Sequence, residues 1–266
     1  MRMRWRVLWM VLLALELQGC ASQRHADEAI VFPDAPEAVE VVDPIGLTPW
    51  AQASLPQFDA KPWHHLTLPG KRVTQFDAVQ VDGRPALSAA ADTSASMVRR
   101  QLHVAPADLG RLRFSWKVPA LIPTADMAKR DTDDAPVRLV LAFEGDRSSF
   151  SPRNAMLSEL ARALTGEPMP YATLMYVWCN VRAPGTVVHN PRTDRIRKIV
   201  VESGASGLGR WQDYERDVRA DFLQAFGEEP GALVAVALMT DSDNTGTRAQ
   251  AWYGPLELVS RPVAAR

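Results

Sequence analysis

The amino-acid sequence predicts a mainly β protein, and two observations carry that prediction. About ten short runs, apolar or alternating and bounded by Gly, Pro or Asp, succeed one another between Trp63 and Tyr253. Only two stretches have helical periodicity, so helices do not separate consecutive strands as a parallel sheet requires. The architecture that follows is a single antiparallel β-sandwich, jelly-roll-like, with two peripheral helices. An N-terminal signal and an extended tether precede it.

Length and charge agree with this. A chain of 266 residues with 47% hydrophobic content can bury a full core. Its 30 basic and 31 acidic residues balance, and no basic run occurs outside the N-terminus, which argues against nucleic acid as a partner.

Residues 1–19 have the form of an export signal. Arg2, Arg4 and Arg6 form a positive head, and Val7 to Leu15 is an apolar run too short to span a bilayer. The run closes on Leu17-Gln18-Gly19-Cys20, which resembles the bacterial lipobox. The resemblance implies cleavage before Cys20 and lipidation of that residue, so the membrane becomes a partner through an acyl anchor. Ala21, where an inner-membrane retention signal has Asp, implies an outer-membrane lipoprotein facing the periplasm rather than the inner membrane. With Cys20 acylated, Cys179 is left without a partner for an intrachain disulfide. Residues 20–61 read as the lipidated Cys and a tether, punctuated by Pro33, Pro36, Pro44, Pro49 and Pro56. Residues 62–260 read as the sandwich domain.

Within that domain the expected strands are 63–68, 73–81, 86–90, 97–104, 111–118, 137–144, 173–179, 196–202, 233–239 and 249–253. In Phe114-Ser115-Trp116-Lys117-Val118 the aromatic residues share one face, and Ser115 and Lys117 share the other. The first helix follows Ser151-Pro152, with an apolar stripe of Met156, Leu157, Leu160 and Leu164 and a stop at Gly166. The second carries Trp211, Tyr214, Val218, Phe222 and Phe226 at helical spacing and stops at Gly227. Leu233 to Met239 and Ala249 to Tyr253, joined by a polar loop, read as a closing hairpin.

That loop, Thr240-Asp241-Ser242-Asp243-Asn244-Thr245-Gly246, is the most site-like stretch. Asp241, Asp243 and Thr245 match the first half of an oxygen-rich calcium loop, but Trp252 stands where an EF-hand has its Glu. The same residues also suit a turn whose Asp and Asn side chains bond their own backbone. The loop at Asp131-Thr132-Asp133-Asp134 could add carboxylates. Trp116, Trp178, Trp211 and Trp252 are candidate platforms; Trp116 and Trp178 read as core, whereas Trp252, sharing a face with Gln250, reads as partly exposed. Sugars need such platforms with fixed polar groups beside them. The expected ligand-binding set is therefore Trp252, Asp241, Asp243 and Asn244, with Lys117, Arg138 and Glu202 as additions. No histidine or cysteine pattern has zinc spacing, and Gly204 to Gly209 fits neither a nucleophile elbow nor a dinucleotide loop.

Phe114 to Val118, Asp133 to Arg138, Tyr176-Val177-Trp178, Val200 to Gly204, Arg216-Asp217-Val218, the closing loop and Ala251 to Gly254 together resemble a bacterial family. It is known as domain of unknown function three-zero-four-seven, and the likeness covers about Trp63 to Leu258. It implies no activity, cofactor or catalytic residue. The closing strands are also similar to the end of galactose-binding-like jelly rolls in carbohydrate-binding modules. The expected function is non-catalytic binding of a glycan or other envelope component. The alternatives are an envelope polysaccharide hydrolase or lyase using carboxylates on the sandwich face, and a structural protein-interaction lipoprotein.

Overall fold

In the computed structural model, described for residues 44–58 and 61–259, every run read as a strand forms one, and three more join them. The signal and Cys20 lie outside the described residues. One sheet has seven strands in the order β1 (His64–Thr67), β4 (Ala95–Val104), β11 (Leu233–Asp241), β6 (Ala135–Phe143), β7 (Ala172–Cys179), β9 (Ile196–Ser203), β8 (Val187–His189). The other runs β10 (Trp211–Asp217), β5 (Arg111–Lys117), β12 (Arg248–Tyr253), β3 (Arg84–Asp92), β2 (Gln75–Val81), with β13 (Glu257–Val259) also paired to β5. All pairs are antiparallel except β7 with β9. The helices are α1 (Pro49–Ala53), α2 (Pro152–Thr165) and α3 (Val218–Phe226).

The core follows from alternation. Leu112, Phe114 and Trp116 of β5 point inward; the Phe114 ring meets Tyr176 of β7 at 5.5 Å and Tyr214 of β10 at 5.2 Å, and Trp116 meets Tyr214 at 5.3 Å. Trp178, expected as core, is buried, and its indole donates to the Gly204 carbonyl at 2.9 Å. Cys179 is buried and free.

Four expectations are corrected. The closing strands do not form a hairpin: β11 lies between β4 and β6 in one sheet, and β12 lies between β5 and β3 in the other. Both hydrogen-bonding edges of β11 are occupied, so the polar loop serves to carry the chain across the sandwich. The stretch read as one helix from Trp211 is a strand up to Asp217, because Gln212, Tyr214 and Arg216 pair across the inward face of β5 while Trp211, Asp213 and Glu215 point out. Helix α3 begins only where Asp217 caps it, accepting from the Ala220 N–H at 3.0 Å, and it ends at Gly227, φ 74°.

Third, the stripe of α2 faces outward. Ser151 caps the helix as expected, yet its buried residues are Asn154 and Ser158, and Met156, Leu160 and Leu164 are exposed. Side-chain hydrogen bonds decide the rotation, since Asn154 is bonded to Asp194 and Thr193. Fourth, the end of the segment read as tether is folded. Thr48 caps α1 ahead of Pro49, Trp50 and Leu55 are buried, and Trp50 meets Trp63 with centroids 5.0 Å apart. An indole and a leucyl side chain gain enough from burial to outweigh the extended preference of the prolines around them.

Candidate functional site

The crossing loop organises a buried ionic cluster. Asp241 at the end of β11 accepts from Arg138 of β6 twice, at 2.7 and 2.9 Å, and from the Ala135 N–H at 3.1 Å. Arg138 also donates to the Asp133 carbonyl at 2.7 Å and its carboxylate at 3.1 Å. Lys198 of β9 donates to Asp133 at 2.6 Å and to the Met127 carbonyl at 2.8 Å. Asp134 takes four bonds from the loop: the Asn244 N–H and amide at 3.2 and 2.9 Å, and the Thr245 N–H and hydroxyl at 2.7 and 2.6 Å. Asp243 pairs with Lys71.

Electrostatics follow burial. Burial pushes Asp241 up to about 6 although Arg138 opposes it, and neighbouring Asp134 and Asp133 push the same way. Asp133 is also penalised by burial, but Arg138 and Lys198 outweigh that and hold it below its ordinary value. Burial, then Arg138, lowers Lys198 to about 8. Carboxylate oxygens of Asp134, Asp241 and Asp243 lie within 4.8 Å of one another, the right residue type for calcium. Their oxygens already accept from Arg138, Lys71 and loop donors, so the cluster fits an ionic lock on the loop better than a cation cage. The loop at Asp133 and Asp134 does join the closing loop.

The second constellation lies on the outward face of the six-stranded sheet. Trp252 is partly exposed, as expected, and its cross-strand partner is Lys117, whose Nζ lies 5.9 Å from the indole centroid. On the other side of Lys117 its partner is Trp211, so two indoles flank one ammonium across three strands. They stand two strand spacings apart, roughly 10 Å. The turn between β2 and β3 packs beside this row. Asp82 and Gly83 adopt φ of 52° and 76°, the pair of left-handed conformations that a type I′ turn needs. This presents Asp82 to Lys117 at 2.8 Å and Arg84 to Asp213 at 2.8 Å, with the Arg84 guanidinium 5.4 Å from the Trp211 centroid. Lys117 holds Asp82 below its usual carboxylate range.

One row further along the same strands the face opens into a groove of about 870 Å³. Ser115 and Asp213 lie in it, Pro56, Gln57 and Pro255 border it, and Arg113, Glu215 and Glu257 continue it. Gly254 permits the close approach there, since a Cβ would stand 2.1 Å from Ser115 Oγ. Arg113 donates to Glu215 at 2.6 Å and to Glu257 at 3.4 Å, and the first of these bonds lowers Glu215.

The expected ligand-binding residues therefore divide. Trp252 and Lys117 belong to the outward face. Asp241, Asp243, Asn244, Thr245 and Arg138 belong to the lock, at the other end of β12 from Trp252. Glu202 belongs to neither and accepts from Tyr214 Oη at 3.0 Å. Sequence reading counts Trp211 among the candidate platforms but places it on a helix and leaves it out of the expected set, and it misses Asp82 and Arg84. The Asp-Gly between two alternating runs is the signal that could have found the turn.

Fold and site together define a mainly β sandwich with a row of two indoles and, beside it, a charge-paired groove on one outer face. The chain belongs to the family described as Protein of unknown function (DUF3047), whose model matches residues 61–257. No curated protein matches it in sequence. Among solved structures it is similar to the xyloglucanase domain of NopAA, a type three effector from Sinorhizobium fredii in complex with cellobiose. Identity is 10%, TM-score 0.38, with 77% of this chain and 98% of that one covered. It is also similar to the endo-1,4-beta-glucanase CelB2, a cellulase, at 12% identity and TM-score 0.32, covering 76% and 98%. Likenesses this remote carry no weight for substrate or activity.

Proposed function

We propose that this protein is a lipoprotein of the outer membrane, anchored through Cys20 and facing the periplasm, that binds a neutral glycan without cleaving it. The observation that carries the binding reading is the Trp211–Lys117–Trp252 row opening onto the groove. A sugar presents a flat C–H face ringed by hydroxyls, so it needs an apolar platform with donors and acceptors around its edge. The indoles supply platforms for successive rings of an oligosaccharide. The Lys117–Asp82 and Arg84–Asp213 pairs supply hydroxyl partners of both kinds. Because each cation already has a carboxylate, an anionic polymer finds no uncompensated positive charge on these two residues.

Cleavage of a glycosidic bond needs a carboxyl held protonated near neutral pH opposite a second carboxylate. In the groove Glu215 is held low by Arg113, the opposite of what a general acid requires. Among the described residues the carboxyl pushed up is Asp241, which is sealed in the lock. This favours binding over hydrolysis.

The test is adsorption of the full-length chain to a glycan array and to insoluble envelope polysaccharides. Trp252→Ala should abolish retention while Glu202→Gln leaves it intact; retention unchanged in Trp252→Ala removes the site. Palmitate incorporation should disappear in Cys20→Ala, and its persistence there overturns the anchor.

A further inference from the structure

The outward stripe of α2 belongs neither to the groove nor to the lock. Met156, Leu160 and Leu164 are 64%, 52% and 58% exposed and follow one another at four-residue steps, so they form one line along the helix. A surface helix ordinarily turns such a line inward. Here the helix is held by polar bonds at its ends: Asn154 donates to Asp194 at 2.6 Å and accepts from Thr193 at 2.8 Å. Past its C-terminus Glu167 accepts from Arg99 at 2.6 Å and from Gln101 at 3.2 Å. Arg99 and Gln101 alternate along β4 with the core residues Val98 and Leu102. They therefore point away from the six-stranded sheet, and α2 and the groove lie on opposite faces of the sandwich. Arg153, three residues before Met156, is exposed on the same side of the helix as the apolar line, whereas Arg162 lies on another side and pairs with Glu159 at 3.6 Å.

A stable pairing with a second copy needs about 800 Å² from each partner, more than three side chains on one short helix provide. The covalent connection favours a lipid surface. Residues 21–43 separate Cys20 from Pro44, and chain geometry lets them span at most roughly 80 Å. A domain on that leash stays beside the bilayer, so a weak apolar contact becomes effectively intramolecular. An arginine beside an apolar line suits phosphate headgroups above acyl chains. No helix among the described residues is long and apolar enough to cross the membrane, so the contact is interfacial.

We propose that α2 lies on the phospholipid surface that carries the anchor, with Met156, Leu160 and Leu164 at the headgroup–acyl boundary, and that the groove consequently faces away from the membrane. This rests on lipidation of Cys20. The test uses the full-length lipidated chain in phosphatidylethanolamine–phosphatidylglycerol vesicles, labelled with an environment-sensitive fluorophore at Leu160→Cys or, on the groove face, at Gln250→Cys. The Leu160 label should be blue-shifted and quenched several-fold more slowly by an aqueous reagent than the Gln250 label. That protection should be lost when Cys20→Ser chain is mixed with the same vesicles. Equal quenching at the two positions, with palmitate present on Cys20, overturns the docking and leaves the anchor standing. Absence of palmitate overturns the anchor and the docking with it. Protection that rises with the protein-to-lipid ratio assigns the stripe to a second copy and overturns the proposal.

Discussion

Replacing Arg138 with Met removes the hub of the ionic lock while keeping much of the side chain's length. In the native chain its guanidinium makes two bonds to Asp241, at 2.7 and 2.9 Å, and two to Asp133, at 2.7 and 3.1 Å. All the carboxylates concerned are buried, so the change leaves Asp241 beside Asp134 with no cation bonded to it. Removing one partner of a buried pair costs about 3–5 kcal/mol. With a urea slope of about 2–3 kcal/mol per molar, the unfolding midpoint should fall by roughly 1–2.5 M. The cost should depend on pH. Asp241 already sits up at about 6 with Arg138 present, and loss of the guanidinium raises it further. A carboxyl whose folded pKa exceeds its unfolded value of 3.8 stabilises the folded state at low pH and loses that contribution as pH rises. Arg138→Met should therefore be more destabilising at pH 8 than at pH 5. Urea titrations followed by tryptophan fluorescence at the two pH values measure both effects. A midpoint shift below about 0.3 M, or one equal at both pH values, would refute the lock.

Three further outcomes follow from local geometry. Gly231→Ala should destabilise by about 1–3 kcal/mol in the same titration, because its Cβ would stand 2.1 Å from the Glu144 carbonyl oxygen, a backbone atom that cannot rotate away. Asp217→Ala should cost about 1 kcal/mol by removing the cap of α3; no change would mean that the helix start does not depend on that bond. Excess calcium, or chelator, should leave the melting temperature unchanged, since Lys71, Arg138 and loop donors already occupy the carboxylates of Asp243, Asp241 and Asp134. A rise of several degrees with calcium would restore the cation-site reading.

The strands were readable in sequence because each presents either alternation, as Phe114 to Val118 does, or an apolar run as long as Leu233 to Met239. Partner choice was not. A polar loop between two strand runs looks the same whether it closes a hairpin or carries the chain between sheets, and the outcome depends on β4 and β6 having taken both edges of β11. Trp211 and Tyr214 were misplaced because residues three apart suit a helix as well as opposite faces of a strand. Helix α2 was located correctly but with its faces reversed, since periodicity identifies the stripe and not the side that Asn154 bonds down. For the site, the isolated exposure of Trp252 was visible beside Gln250. Its second platform depends on the pairing of Trp211 with Lys117, 94 residues away in the chain, and the Arg84–Asp213 bond spans 129 residues.

The central claim is that the Trp211–Lys117–Trp252 face, not the Asp241 loop, holds the glycan. It is tested most directly by calorimetric titration of the retained oligosaccharide into native chain, Trp211→Ala, Trp252→Ala and Asn244→Ala. Each tryptophan change should weaken Kd by about tenfold or more, equivalent to about 1.4 kcal/mol, and Asn244→Ala should leave it unchanged. Affinity that survives both tryptophan changes but falls with Asn244→Ala would contradict the account and return the site to the loop.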